Sequence, residues 1–182
     1  MKKSYIIGAI ILLVVIGGSV VAYEHEYSPK AKYQEGLHYY KNKNYKKALP
    51  LFKESAKQNY APAEGKLGYM YLNGRGVPQD YSKAAYWLKK AAEQGNVTAE
   101  NNLGMMYVEG LGVPRDHNKA LYWLKKAAGQ GSASAENNLG LIYENGLGVP
   151  QDYSKAIYWF KKAAERGSTK AKANLERLES EY

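Results

Sequence analysis

Apolar residues in this chain recur at three- and four-residue spacing in short blocks, and the blocks themselves recur. Ala84, Trp87, Leu88, Ala91 and Ala92 form one stripe, with Lys83, Lys89, Lys90 and Glu93 on the opposite side. This spacing predicts an amphipathic helix. Asp80 stands at its N-cap, ahead of a helix opening at Tyr81, and Gly95 stands where a left-handed residue would close it. A second helix is predicted from Val97 to Glu109, with Ala99, Leu103, Gly104 and Tyr107 as its spine. A mid-helix glycine implies close packing. Gly104 is expected to face the neighbouring helix, with a bulky Trp or Tyr of that helix filling the space. The stretch GLGVPRD follows: Gly110 and Gly112 permit positive φ, Pro114 forbids helix continuation, and Val113 can pin the loop inward.

The unit from Tyr81 to Asp116 returns at His117 to Asp152, with 24 of 36 positions identical. The same period keeps Gly68, Gly104 and Gly140 in register, as it does Trp87, Trp123 and Trp159, and Asp80, Asp116 and Asp152. A fixed period of this length is the signature of a solenoid, in which each unit exposes an apolar face until a neighbour covers it. The combination A-x-x-x-LG-x-x-Y-x-x-G-x-GVP-x-DY-x-KA-x-x-W-x-x-KAA-x-x-G resembles the Sel1-like repeat, a relative of the tetratricopeptide repeat, with units at 62–97, 98–133 and 134–169. The resemblance implies an all-α, right-handed solenoid of paired antiparallel helices.

The two ends depart from the unit. Residues 31–61 carry Gly36 and Tyr39 at the spacing of Gly104 and Tyr107 but lack four loop residues, as a plain tetratricopeptide unit would. In its second helix Leu51 replaces Trp, and Pro50 falls inside. Residues 170–182 begin like another first helix but turn charged in ERLESEY, which suits a cap whose outer face meets water. Residues 1–23 place Lys2 and Lys3 before an uncharged apolar run over 4–23, near the length that crosses a bilayer. The run is expected to be a signal anchor or a cleaved signal peptide, with Val20, Val21 and Ala22 suited to cleavage, and 24–30 a spacer. Either outcome sends the repeats across the membrane into the cell envelope, tethered in the first case and released to the periplasm in the second.

Composition narrows the chemistry. The chain has no Cys, which removes disulfides and thiolate chemistry. Its three histidines, His25, His38 and His117, occupy unrelated phases, so no metal site, cofactor or catalytic set is expected. The periodic aspartates read as helix caps and the periodic Trp residues as core packing. The formal charge of +9 comes largely from lysines, including the KK pairs that begin at Lys89, Lys125 and Lys161, read as a solvated outer helix face and not as a nucleic-acid site.

A scaffold holds its core positions fixed and leaves its binding face free to differ. The inner-groove positions implied by the tetratricopeptide resemblance are Tyr33, Leu37 and Tyr40, then Tyr69 and Leu72. They continue with Asn101, Met105 and Glu109, then Asn137, Leu141 and Asn145. Asparagine at this phase can hydrogen-bond the backbone of an extended peptide, and Tyr and Met offer adaptable apolar contact. The expectation is a monomeric, non-catalytic envelope scaffold that binds a protein or peptide in its groove. Two alternatives from the same resemblance are an immunity protein that neutralises an envelope-acting toxin enzyme, and a β-lactam-binding or hydrolysing enzyme.

Overall fold

The computed structural model describes residues 28–181, and over that range the chain forms nine α-helices and no strand. They are α1 (Pro29–Lys41), α2 (Tyr45–Lys57), α3 (Ala61–Asn73), α4 (Tyr81–Glu93), α5 (Val97–Glu109), α6 (His117–Gly129), α7 (Ala133–Asn145), α8 (Tyr153–Glu165) and α9 (Thr169–Glu181). No helix among the described residues is long and apolar enough to cross a membrane, and the apolar run over 4–23 lies outside them.

Helix boundaries follow local chemistry. The Oδ1 atoms of Asp80, Asp116 and Asp152 accept from the backbone N–H of Lys83, Lys119 and Lys155 at 2.9, 3.0 and 2.9 Å, satisfying donors that an open helix end leaves free. Gly95 closes α4 at φ 82°, and the N–H of Asn96 returns to the carbonyl of Ala91 at 3.0 Å. In the first unit three residues join α1 to α2, where seven join α3 to α4. Pro50 lies inside α2, as its position in the sequence requires.

Helices pack in antiparallel succession, and α3 also touches α5, as α5 touches α7. The first helices of successive units therefore line one wall. The core is built across unit boundaries. Phe52, Leu67 and Met70 of α2 and α3 form one cluster, and Trp87 of α4 packs against it. Leu88, Leu103 and Met106 form the next, with Trp123 of α6 against it, and Leu124, Leu139 and Ile142 the third, with Trp159 of α8. Each Trp thus reaches back to seal the preceding layer. Val77, Val113 and Val149 turn their loops onto the same three clusters.

The glycine expectation holds with one correction. A Cβ on Gly104 would meet Leu124 Cγ at 2.7 Å and the carbonyl oxygen of Ala120 at 3.3 Å. Leu88 stands in the same way over Gly68, and Phe160 over Gly140. The space is filled by the residue after each Trp, because the indole is turned toward the preceding layer. The second loop glycine also has a contact role: a Cβ on Gly76, Gly112 or Gly148 would collide with Tyr45, Tyr81 or His117 at the start of the preceding unit's second helix. Position 117 is therefore a packing position, and its histidine is held by a neighbour's loop.

Candidate functional site

The wall formed by α1, α3, α5, α7 and α9 carries the residues expected to face the groove. Asn101 and Asn137 belong to a ladder of amides. Asn101 Oδ1 accepts from Asn138 Nδ2 at 2.9 Å, and Asn137 Oδ1 accepts from Asn174 Nδ2 at 3.0 Å. The sequence shows these side chains only as separate residues; the rungs join α5 to α7 and α7 to α9. With the oxygens engaged, the Nδ2 groups of Asn101 and Asn137 remain as donors with no acceptor in the described residues. Asn137 is itself buried, at 7% exposure.

Tyr69, Met105 and Leu141 share one phase, and all three are half-buried. Met105 packs on the third cluster, and Leu141 on the last, formed by Phe160 and Leu178. Leu72 belongs with the second cluster, and its register partners are Val108 and Glu144. Glu109 and Asn145 instead align with Asn73, at the exposed ends of their helices, and both asparagines turn back to helix carbonyls: Asn73 to Tyr69 at 2.9 Å and Asn145 to Leu141 at 2.8 Å. Tyr33, Leu37 and Tyr40 cover the Phe52 cluster. Burial pushes the phenols of Tyr33 and Tyr40 upward, and for Tyr40 it does so against the lowering effect of the Arg75 guanidinium. Toward the C-terminal end the wall opens into a cleft of about 530 Å³ lined by Asn137, Asn138, Leu141, Lys170 and Asn174 among others.

The opposite wall requires a correction. Of each lysine pair, Lys89, Lys125 and Lys161 are exposed, but Lys90, Lys126 and Lys162 are half-buried and lie 5.5, 5.0 and 5.3 Å from the ring centres of Trp87, Trp123 and Trp159. Lys90 and Lys126 also meet carboxylates that are wholly buried, Glu64 at 3.1 Å and Glu100 at 3.0 Å. Those contacts are electrostatic more than directional, since neither Oε1 accepts a well-aligned hydrogen bond. The second oxygens accept from Gln94 at 2.5 Å and Gln130 at 2.7 Å, and in the last unit Arg166 Nε reaches Glu136 at 3.1 Å. Sequence reading missed this set. Its signal was present: Glu64, Glu100 and Glu136 recur at the repeat period as the fourth residue of α3, α5 and α7.

At the helix caps, Asp80, Asp116 and Asp152 are held below the usual carboxylate range. The Lys83 and Lys155 ammonium groups are the main cause for the first and third, and the Lys119 backbone N–H for the second. Among the described residues no three His, Cys, Asp or Glu side chains are placed to share a metal ion. His38 is exposed on α1, beside Asn42, and His25 lies outside the described residues.

The comparisons with known proteins agree with this geometry. The sequence model of the Sel1 repeat matches residues 31–60, 61–96, 97–132 and 133–168. The fold is similar to a protective antigen of uropathogenic Escherichia coli with an SLR fold, at TM-score 0.76 and 40% identity over 83% of this chain and 33% of that one. It is similar also to a Sel1 repeat protein from Oxalobacter formigenes, at TM-score 0.73 and 39% identity over 78% of this chain and 58% of that one. The chain thus spans a third of the first of these proteins and somewhat over half of the second. A search of curated proteins returns no match. Four consecutive matches to one repeat model, two solved relatives of the same fold and a core built across unit boundaries have one reading: the chain belongs to the Sel1 repeat family, whose fold is used for protein–protein interaction.

Proposed function

We propose that this protein is a non-catalytic adaptor of the cell envelope that holds a segment of another protein in the groove lined by α1, α3, α5, α7 and α9. The observation that carries the reading is a difference between the two walls. The outer wall repeats one chemistry, with Lys89, Lys125 and Lys161 and the exposed Tyr86, Tyr122 and Tyr158 in equivalent places. Such a surface attracts partners but distinguishes poorly among them. Along the inner wall Tyr69, Met105 and Leu141 differ at one phase, and the Nδ2 donors of Asn101 and Asn137 suit the carbonyl oxygens of an extended chain. The apolar run over 4–23, preceded by Lys2 and Lys3, supports delivery of the repeats to the far side of the membrane.

Site-specific photo-crosslinking in cells tests the groove. A photoreactive phenylalanine placed at Leu141, inside the cleft, should capture a discrete protein partner, and the same group at Tyr122 should not. Capture from position 122 with none from 141 would move the binding surface to the outer wall. A reporter active only in the periplasm, fused after Tyr182, checks the location: no activity there would remove the envelope from the proposal.

A further inference from the structure

The repeat is broken at one end of the groove, and the departures meet in space. Lys66 of α3 occupies the phase held by Asn102, Asn138 and Asn174 in later units, and Arg75 stands in the loop where Leu111 and Leu147 stand. Both cations turn onto tyrosines. Arg75 Nη1 donates to the Tyr40 hydroxyl at 2.9 Å, and its guanidinium lies 5.1 Å from the Tyr69 ring centre. Lys66 Nζ lies 4.8 Å from the ring centre of Tyr40 and 5.9 Å from that of Tyr69. Lys41, at the end of α1, adds a third positive charge close enough to act on Lys66.

None of these three cations has a carboxylate partner among the described residues. By contrast, the half-buried Lys90 and Lys126 each meet a buried carboxylate. Lys66 is half-buried as well, and burial first, then Arg75 and Lys41, push its ammonium below the ordinary lysine range. Convergent positive charge held partly out of water is unfavourable in the free protein and favourable once an anion enters. The amide ladder also stops here. Gly65 stands at the phase of Asn101 and Asn137, so the Asn102 amide has no side-chain oxygen at that place, and the Asn102 side chain makes no hydrogen bond among the described residues.

We infer that Lys66, Arg75, Tyr40 and Tyr69 form an anion subsite at the N-terminal end of the groove, which takes a side-chain carboxylate from an acidic segment of the protein partner. Lys66 supplies the charge, the Tyr40 hydroxyl, already accepting from Arg75, donates its own proton to the carboxylate, and the ring of Tyr69 flanks the methylenes of a glutamate. A peptide is favoured over a free small anion because Tyr69 belongs at once to this subsite and to the row that continues through Met105 and Leu141. The inference rests on the groove reading above.

The full chain, purified in detergent micelles, is titrated with a fluorescein-labelled tetraglutamate peptide and with its tetraglutamine counterpart at about 0.15 M ionic strength, where distant charges are screened. Tetraglutamate should bind and tetraglutamine should not, and the variant Lys66→Met with Arg75→Met should bind about tenfold more weakly or worse. The same variant should keep the parent's far-UV circular dichroism and a cooperative melt, and this separates a lost site from a lost fold. Lys125→Ala, on the outer wall, should leave binding unchanged. Equal losses in the Lys125 variant would show diffuse attraction and overturn the subsite. Displacement of the peptide by equimolar inorganic phosphate would overturn its assignment to a peptide. Binding that appears only after Glu24→Gln with Glu26→Gln would assign the subsite to the chain's own spacer and overturn its assignment to a partner. If tetraglutamate fails while crosslinking from Leu141 succeeds, the groove stands and the subsite falls.

Discussion

Two glycines of α3, three residues apart, show how much a single position depends on what faces it. A Cβ on Gly68 would lie 2.6 Å from Leu88 Cγ and 3.0 Å from the backbone nitrogen of the same residue, so neither neighbour can yield cheaply. The nearest atoms to a Cβ on Gly65 belong to the Asn96 side chain, at an ordinary 3.4 Å or more. Gly65→Ala should therefore stabilise by about 0.5–1 kcal/mol through helix propensity and a less free unfolded chain, while Gly68→Ala should destabilise by about 1–3 kcal/mol through overpacking. Urea titration of the two variants checks the pair, and equal effects would contradict the packing described. The capping aspartates give a pH prediction. Their carboxyls are held below their ordinary value of 3.8, so the caps contribute stability above that value and lose it as pH falls through the depressed ones. Replacing all three by Asn keeps an N-cap acceptor but removes the titration. The melting temperature of that variant should fall less steeply than the parent's below about pH 4.

At the scale of the helix, the lysine pairs show where sequence pattern misleads. The two members of a pair are adjacent in sequence and look alike, yet a turn of about 100° per residue sends Lys125 to water and Lys126 over Trp123 toward the buried Glu100. Removing one partner leaves a charge out of water without its counterpart, which is costly even where the pair itself contributes little net stability. Because Lys126 is 36% exposed and Gln130 still serves the other oxygen of Glu100, the loss should be moderate. Lys126→Ala is expected to cost about 1–3 kcal/mol and Lys125→Ala less than about 0.5 kcal/mol. Thermal melts of both variants decide it; equal costs would mean that the Glu100 carboxylate finds another partner. The same step of about 100° explains why Trp123 seals the preceding layer while Leu124 fills the notch over Gly104.

For the whole molecule, stability is shared between neighbours along one axis. The last layer, Ala156, Phe160 and Ala163, is covered by Ala171 and Leu178 of α9, and the next face of α9 is charged. Deleting residues 169–182 should uncover that layer and loosen α8, with little effect on α1 to α3, because each unit contacts only its neighbours. Hydrogen exchange can read this directly: protection lost at α8 and kept at α2 and α3 is the expected pattern. Uniform loss along the chain would mean that the array folds as a single cooperative block.

The sequence by itself determined the period, the nine described helices and their ends, because these depend on local signals: aspartate at an N-cap, glycine with positive φ, apolar residues at helical spacing. It also marked Gly68, Gly104 and Gly140 as contact positions, since a glycine that recurs at the repeat period inside a helix answers to a fixed neighbour, as the unrepeated Gly65 does not. What it could not determine was which residues meet across about 20 to 40 positions of chain. The partner of Gly104 is Leu124 and not Trp123, the buried glutamates are met by Lys90, Lys126 and Arg166, and the groove asparagines bond to one another across units. Lys66, Arg75 and the two tyrosines likewise come from three separate elements, and only the stacking of α1 against the next unit brings them together. Local pattern fixes which way a side chain points on its own helix; the angle and register at which helices stack decide what it finds there.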